Sequence, residues 1–272
     1  MMDKSKVTEL IKKELGDVDV KFSVVFKNND AMRNSCTISK KEADAISPLI
    51  YFDKYNSDED IADFIISVYK KNEENPHTLD KQSTESILKI LTEKDLFLDN
   101  VFPVLINYEK NRKLFETIVY RPYINLAITY KVRVSEEGTV KVTKDMIDKL
   151  GITEDDLYYR AIENIKYEIS DMPFFTGGDE GPLMKVLSTP NKLFGASAIL
   201  AAAALYDVSD IYGPRFYILP SSIHEVICVP YNETSLESYK NMVKTVNAAE
   251  VNEEDFLSND VYICVKGKVA VA

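Results

Sequence analysis

Histidine and cysteine are scarce in this chain: two histidines, His77 and His224, and three cysteines, Cys36, Cys228 and Cys264, stand among 272 residues. No CxxC, HxxxH or HExxH spacing occurs, so a zinc site built from these residues is not expected. Three cysteines, far apart and odd in number, argue against a disulfide framework. Cys228 and Cys264 lie in apolar, strand-like runs and read as small buried hydrophobes. Long apolar runs are missing as well. The longest, GASAILAAAAL at 195–205, falls short of the roughly 20 residues that a bilayer span requires. The start, MMDKSKVTELIKKELG, lacks the apolar core and small-residue cleavage site of a signal peptide. Its Val7, Leu10, Ile11 and Leu15 form a helical stripe that Gly16 can terminate, and a cytoplasmic location is expected. There is no internal repeat, no low-complexity linker, no GxxxxGK[ST] phosphate loop, no EF-hand spacing and no GxSxG elbow. Neither cofactor nor metal is expected. Excess basic charge is lacking too: 33 Lys and Arg face 44 Asp and Glu, for a net charge of −11. That balance disfavours direct contact with nucleic-acid phosphates or an anionic membrane surface.

What is present is a globular composition, 45% hydrophobic, in a chain long enough for one large or two modest cores. Val18, Val20, Phe22, Val24 and Phe26 alternate with mostly polar residues as a half-buried strand. KNND (27–30) turns it back through Cys36 and Ile38 as a hairpin, and PLIYF (48–52) is a short buried run. Ser57 can cap a helix whose apolar face carries Ile61, Phe64, Ile65, Val68 and Tyr69. A further helix covers Ser83 to Thr92, and the apolar segment VFPVLIN (101–107) follows. Leu126, Ile128, Tyr130, Val132 and Val134 share one strand face, and SEEG turns that strand into TVKV as a second hairpin. Residues 143–165 have the outline of a helix-turn-helix, but Glu154, Asp155 and Asp156 would meet phosphate at the groove. Two short helices joined at Gly151, the second capped by Thr153, fit better.

The last third reads as a strand MKVLS, a helix from about Phe194 to Tyr206, strands FYIL and VICV, a helix through Tyr239 and Val246, and a strand VYICV. Thr234 and Glu237 fit a capping box for the second helix. This βαββαβ order predicts a split-βαβ unit, an antiparallel sheet with its helices on one face. The expected class is α+β with mostly antiparallel sheets. The expected divisions are an α+β part with two hairpins at 1–142, a helical connector at 143–175 and the βαββαβ part at 176–272, which opens with the flexible loop GGDEG (177–181).

LINYEKNRKLF, INLAITYKV, FGASAIL, YILPSSIHEVICVP, MVKTVNAAEV and LSNDVY together resemble a bacterial family, domain of unknown function 5688. PSSIHEV is the most specific of these marks. The resemblance spans nearly the whole chain and implies one family unit; it also implies carriage on mobile DNA. It brings no catalytic residues with it.

The candidate functional loop is Ser221, Ser222, His224 and Glu225. A hydrolase or transferase would use Ser222 (or Ser221) as nucleophile, His224 as base and Glu225 as the orienting acid, all in hydrogen-bond series. Against this, adjacent strand residues such as His224 and Glu225 point to opposite faces. Pro220-Ser221-Ser222 is turn chemistry, and Ser222-x-x-Glu225 matches a one-turn capping box. Asn107, Glu109 and Asn111 form a second polar cluster. The acidic runs at 57–60, 153–156 and 250–255 fit helix starts. The expected function is binding or regulation through contact with a protein partner, with an exposed apolar patch beside the hairpin tip. The alternatives are the Ser222/His224/Glu225 enzyme and an acidic decoy for a nucleic-acid-binding enzyme.

Overall fold

A computed structural model describes residues 2–40, 49–74, 81–136, 138–172 and 184–272. The GGDEG loop and His77 lie outside the described residues. The chain forms two compact units, Met1–Lys27 with Ala31–Lys81, and Asn28–Asp30 with Gln82–Ala272. The divisions expected from the sequence fell instead at 142 and 175.

In the small unit, α1 (Lys4–Leu15) starts on Asp3, whose carboxylate accepts from the Ser5 and Lys6 amides, and it ends at Gly16, φ +80°. Strands β1 (Val18–Phe26), β2 (Met32–Lys40) and β3 (Leu49–Tyr51) form an antiparallel sheet in that order. Helix α2 (Asp58–Glu74) is capped by Ser57, whose hydroxyl accepts from the Asp60 amide at 3.0 Å. Val7, Ile11, Val18, Ile38, Ile50 and Ile65 make the core. The alternation of β1 holds through Phe22, but Val24 and Phe26 are exposed.

The large unit takes up the chain again at Gln82, within α3 (Lys81–Thr92), and continues into α4 (Lys94–Asn100). A four-stranded antiparallel sheet follows. β6 (Leu126–Arg133) is flanked on one side by β4 (Val101–Asn107) and on the other by β5 (Tyr120–Tyr123) and β7 (Thr139–Lys141). Next come α5 (Lys144–Leu150), ended by left-handed Gly151, and α6 (Glu154–Glu163), started by a Thr153–Asp156 capping box. Glu154 and Asp155 pair with Arg121 of β5, so the acids of the suspected recognition helix are structural.

The second sheet has six strands: β8 (Glu168–Asp171), β9 (Lys185–Ser188), β10 (Arg215–Ser222), β11 (Glu225–Pro230), β12 (Tyr262–Val265) and β13 (Lys268–Val271). Their order is β13-β12-β10-β11-β9-β8, antiparallel throughout. Helix α7 (Ala202–Tyr212) joins β9 to β10, and α8 (Leu236–Glu250) joins β11 to β12. Each helix-connected pair of strands is parallel, with one antiparallel strand between them, so both crossovers are split βαβ units and the β10–β11 hairpin is central. Both crossovers step the same way across the sheet, yet their strands run oppositely. With right-handed crossovers the two helices must therefore cover opposite faces. The packing agrees: Leu205 and Val208 of α7 lie in one cluster with Phe216 and Ile218, while Tyr239 and Val243 of α8 lie in another with Tyr217 and Leu219. The expectation of one helical face is corrected by this topology.

Three local expectations also change. The first helix opens as a 3-10 segment, Gly195–Leu200, before α7 begins. Thr234 does not cap α8: Asn232 accepts from the Thr234 amide, ahead of a 3-10 turn. The acidic run at 250–255 closes α8 and forms a 3-10 turn, Glu253–Asp255, in place of a new α-helix. No division falls at 142 because Leu105, Ile128 and Tyr130 of the first sheet share a core with Leu187, Phe216 and Ile218 of the second. Among the described residues no helix is long and apolar enough to cross a membrane.

Candidate functional site: the hairpin tip and the cavity it supports

β10 and β11 meet at a two-residue turn, Ile223–His224, with Ser222 opposite Glu225. The register slips between Pro220 and Ser222, where proline has no N–H to give the ladder. Ser221 donates to Glu225 Oε1 at 3.3 Å. The Ser222 hydroxyl accepts from the backbone amide of His224 at 3.0 Å, a local turn contact in place of the expected capping box.

The imidazole of His224 has a partner on each nitrogen. Nδ1 accepts from the Phe194 amide at 3.2 Å, and Nε2 lies 3.2 Å from Asp255 Oδ1. An amide can only donate, so the ring proton sits on Nε2 and points at Asp255. Neither serine hydroxyl meets the ring, and Glu225 turns to Ser221. The Ser222–His224–Glu225 relay is therefore not assembled; the acid facing His224 is Asp255, which sequence reasoning read as a helix-dipole partner.

The tip is clamped from both sides. The Ile223 amide donates to the Asp255 carbonyl (2.8 Å), and the Ile223 carbonyl accepts from Ala196 (3.3 Å). Ser188, fully buried, donates to the His224 carbonyl at 2.8 Å. Gly195 passes so close that a Cβ there would lie 2.5 Å from the His224 carbonyl oxygen and 2.5 Å from the Thr189 nitrogen. Phe194 has φ +57°, a left-handed conformation that a bulky residue holds only when its surroundings dictate it. Here the His224 bond and three ring contacts do so: Phe194 packs on His224 (5.5 Å between centroids) and Phe102 (6.1 Å), and Lys131 Nζ sits 4.1 Å over it.

The second polar cluster splits. Glu109 pairs with Arg112 on the surface. Asn107 and Asn111 enter a node of amides: Asn111, fully buried, exchanges two hydrogen bonds with Asn29 (2.8 and 2.9 Å) and donates to the Asn107 carbonyl. Asn29 donates to the carbonyls of Glu253 and Phe256, and Asn107 to that of Leu257. The segment 253–257 thus joins both clusters picked out in the sequence, through its carbonyls on one side and the Asp255 carboxylate on the other.

Beside the Phe194 segment lies a cavity of about 650 Å³, within the range of ligand sites. Its walls include Phe102, Arg133, Thr139, Lys166, Asn191 and Phe194. Sequence reasoning missed it because these residues come from separate elements, and because Lys131 and Arg133 look like the solvated face of β6. Leu193, on the rim, is 45% exposed. It supplies an exposed apolar residue in the segment that the tip holds.

Away from the tip, all three cysteines are buried. Burial pushes the Cys36 thiol up to about 12 and raises Cys228 and Cys264 as well. Tyr130 is raised first by burial and then by its hydrogen bond to Glu154. Among the described residues, no group of three or more His, Cys, Asp or Glu is placed to hold a metal ion.

Residues 4–266 match the model of a family of unknown function, DUF5688, and the chain belongs to that family over nearly its whole length. No curated protein matches the chain. No solved structure matches it either.

Proposed function

We propose that this DUF5688 protein is a cytoplasmic binding protein that works by contact with another protein, and that the cavity rim at Leu193 and Phe194 is where the partner meets it. The observation that carries this reading is the double commitment of His224. A general base needs a ring nitrogen open to its substrate, whereas both nitrogens here hold protein groups. What His224 does is fix the backbone of a segment that lines a cavity, the usual relation between a scaffold and a binding loop. The decoy reading is less favoured: Glu154 and Asp155 are tied up by a shared Arg121, and Asp99 and Glu163 by a shared Arg160, which leaves no phosphate-like row of free carboxylates there.

The test is a photo-crosslinking residue placed at Leu193, with Tyr206, 67% exposed on α7, as the comparison position. In the bacterial host, Leu193 should crosslink one defined protein, the yield should fall with His224→Ala, and Tyr206 should not capture that protein. Equal capture at both positions, or ester hydrolysis that depends on Ser222, would overturn the reading.

A further inference from the structure

We infer that His224 is a proton-operated latch for the cavity rim: the neutral ring holds the Phe194 segment, and protonation releases that segment while the hairpin tip stays in place. This rests on the binding reading above for what the latch controls, and adds how that contact is regulated.

The two bonds of the imidazole respond differently to a proton. The added proton goes to Nδ1, the nitrogen that accepts from the Phe194 amide at 3.2 Å. An imidazolium has no acceptor nitrogen, so two N–H groups then face each other and that bond is lost. The Nε2 bond to Asp255, at 3.2 Å, survives and becomes charge-assisted. Histidine is the side chain that makes this change between about pH 5 and 8. Of the charges around the ring, Asp255, from the turn after α8, favours the imidazolium. Lys131 of β6, 4.1 Å over the Phe194 ring, opposes it. Glu225 of β11 is turned to Ser221, and Lys192, in the Phe194 segment, pairs with Glu168 of β8 at 3.7 Å.

The other ties of the tip hold no titratable group. They are the Ile223 amide on the Asp255 carbonyl, the Ala196 amide on the Ile223 carbonyl, and the Ser188 hydroxyl on the His224 carbonyl. The Phe194 carbonyl likewise stays with the Ser197 hydroxyl, at 2.8 Å. What a proton frees is the amide side of Phe194, whose left-handed φ of +57° that bond helps to hold. Lys192, two residues earlier, is left-handed as well, at φ +56°. Between them the loop closes on itself: the Thr189 hydroxyl donates to the Leu193 carbonyl (2.8 Å), and the Asn191 side chain accepts from the Leu193 amide (3.3 Å). Rotation about φ of Phe194 therefore carries Leu193 and its loop away from the rim position as one piece.

The experiment is NMR on the isotope-labelled full chain, titrated from about pH 8 to about pH 5.5. It follows the ring nitrogens of His224 and the exchange protection of the Phe194, Ala196 and Ile223 amides. At the upper end the ring should carry its proton on Nε2. As the ring charges, Phe194 protection, corrected for the intrinsic pH dependence of exchange, should fall about tenfold, the scale of one hydrogen bond. Ala196 and Ile223, whose acceptors do not titrate, should keep theirs. His224→Gln should remove the pH dependence at Phe194. Asp255→Asn should move the His224 midpoint to lower pH, because the charge that favours the imidazolium is gone. Capture at Leu193, repeated in host lysate at both pH values, should fall in acid for the wild type and be indifferent to pH in His224→Gln. The latch is overturned by a ring protonated on Nδ1 at the upper end, or by one that stays neutral throughout. Phe194 protection that holds or rises as the ring charges would also overturn it, as would an equal loss at Ala196 and Ile223. Capture at Leu193 without any change at Phe194 would leave the contact reading standing and remove only the latch; Phe194 release without capture at either pH would do the reverse.

Discussion

The two units bury their strands in different ways. In β1 of the small unit, burial alternates along Val18–Phe22, and the far end of the strand is exposed. In β10 of the large unit, the five residues Phe216 to Pro220 are all buried, because α7 covers one face and α8 the other. Alternation marks a strand with one wet face, whereas a continuous apolar run marks one covered on both. The cysteines allow the units to be followed separately, Cys36 in the small one and Cys228 and Cys264 in the large. All three are buried with raised thiol pKa values, so at pH 8 they should alkylate only on opening.

The largest difference should come from truncating the two strands. Ile218→Ala removes a fully buried side chain and should cost about 4 kcal/mol. Val24→Ala, at a position 52% exposed, should stay within about 0.5 kcal/mol. Urea titrations with pulsed alkylation of the cysteines measure both. Comparable costs would mean that the exposed end of β1 is covered in solution.

Next in size is Gly195→Ala. The new Cβ meets backbone atoms at 2.5 Å on two sides, and overpacking of that kind should cost about 3 kcal/mol. Cys228 and Cys264 should become reactive at lower urea, while Cys36 keeps its midpoint. A shift of all three together would show that the units unfold as one.

Asn111→Ala should follow, at about 2 kcal/mol, because Asn29 and the Asn107 carbonyl lose partners in a buried place. Asn111→Asp keeps the shape but removes two donors, and should recover little. A neutral outcome for both would mean that water replaces the side chain. Amide exchange at 253–257 should quicken in either variant if the node holds that segment.

How much was legible in the sequence follows from the range of the forces involved. The helices capped by Asp3, Ser57 and Thr153, the hairpins β1–β2, β6–β7 and β10–β11, and the order of the last third all depend on neighbours within a few positions. The opposite placement of α7 and α8 depends on strand order, which no local pattern carries. β8 and β13 are short edge strands of mixed polarity and give little alternation to read. For the site, the hairpin tip was visible as an unusual run of polar residues between apolar strands. Its partner Asp255 is 31 residues away from His224 and resembled a cap. The cavity was invisible, since its lining comes from positions 99 to 197, which only folding brings together.

The smallest effect expected is the one in which the two units should not differ. Ser57 in the small unit and Thr153 in the large each accept from the amide three residues on, at 3.0 and 3.1 Å, and each hydroxyl donates to the aspartate there, at 2.6 and 2.8 Å. Capping involves one turn of one helix, so burial on one face or two should be irrelevant to it. Ser57→Ala and Thr153→Ala should therefore each cost about 1 kcal/mol. The Thr153 cap has a pH signature as well. Hydrogen bonds from the Thr153 backbone and then its side chain lower the Asp156 pKa. A depressed carboxylate stabilises the fold above its unfolded pKa, near 4, and that contribution disappears as pH falls through the folded value. Wild type should lose stability relative to Asp156→Asn as the pH drops below about 4, with the two curves parallel between pH 6 and 8. A Thr153→Ala cost well above that of Ser57→Ala, once each is read from its own unit's cysteines, would mean that the first turn of α6 is coupled to the rest of the large unit. The connection for such coupling exists, since Arg121 reaches from β5 to Glu154 and Asp155, and Tyr130 donates to Glu154 from the core.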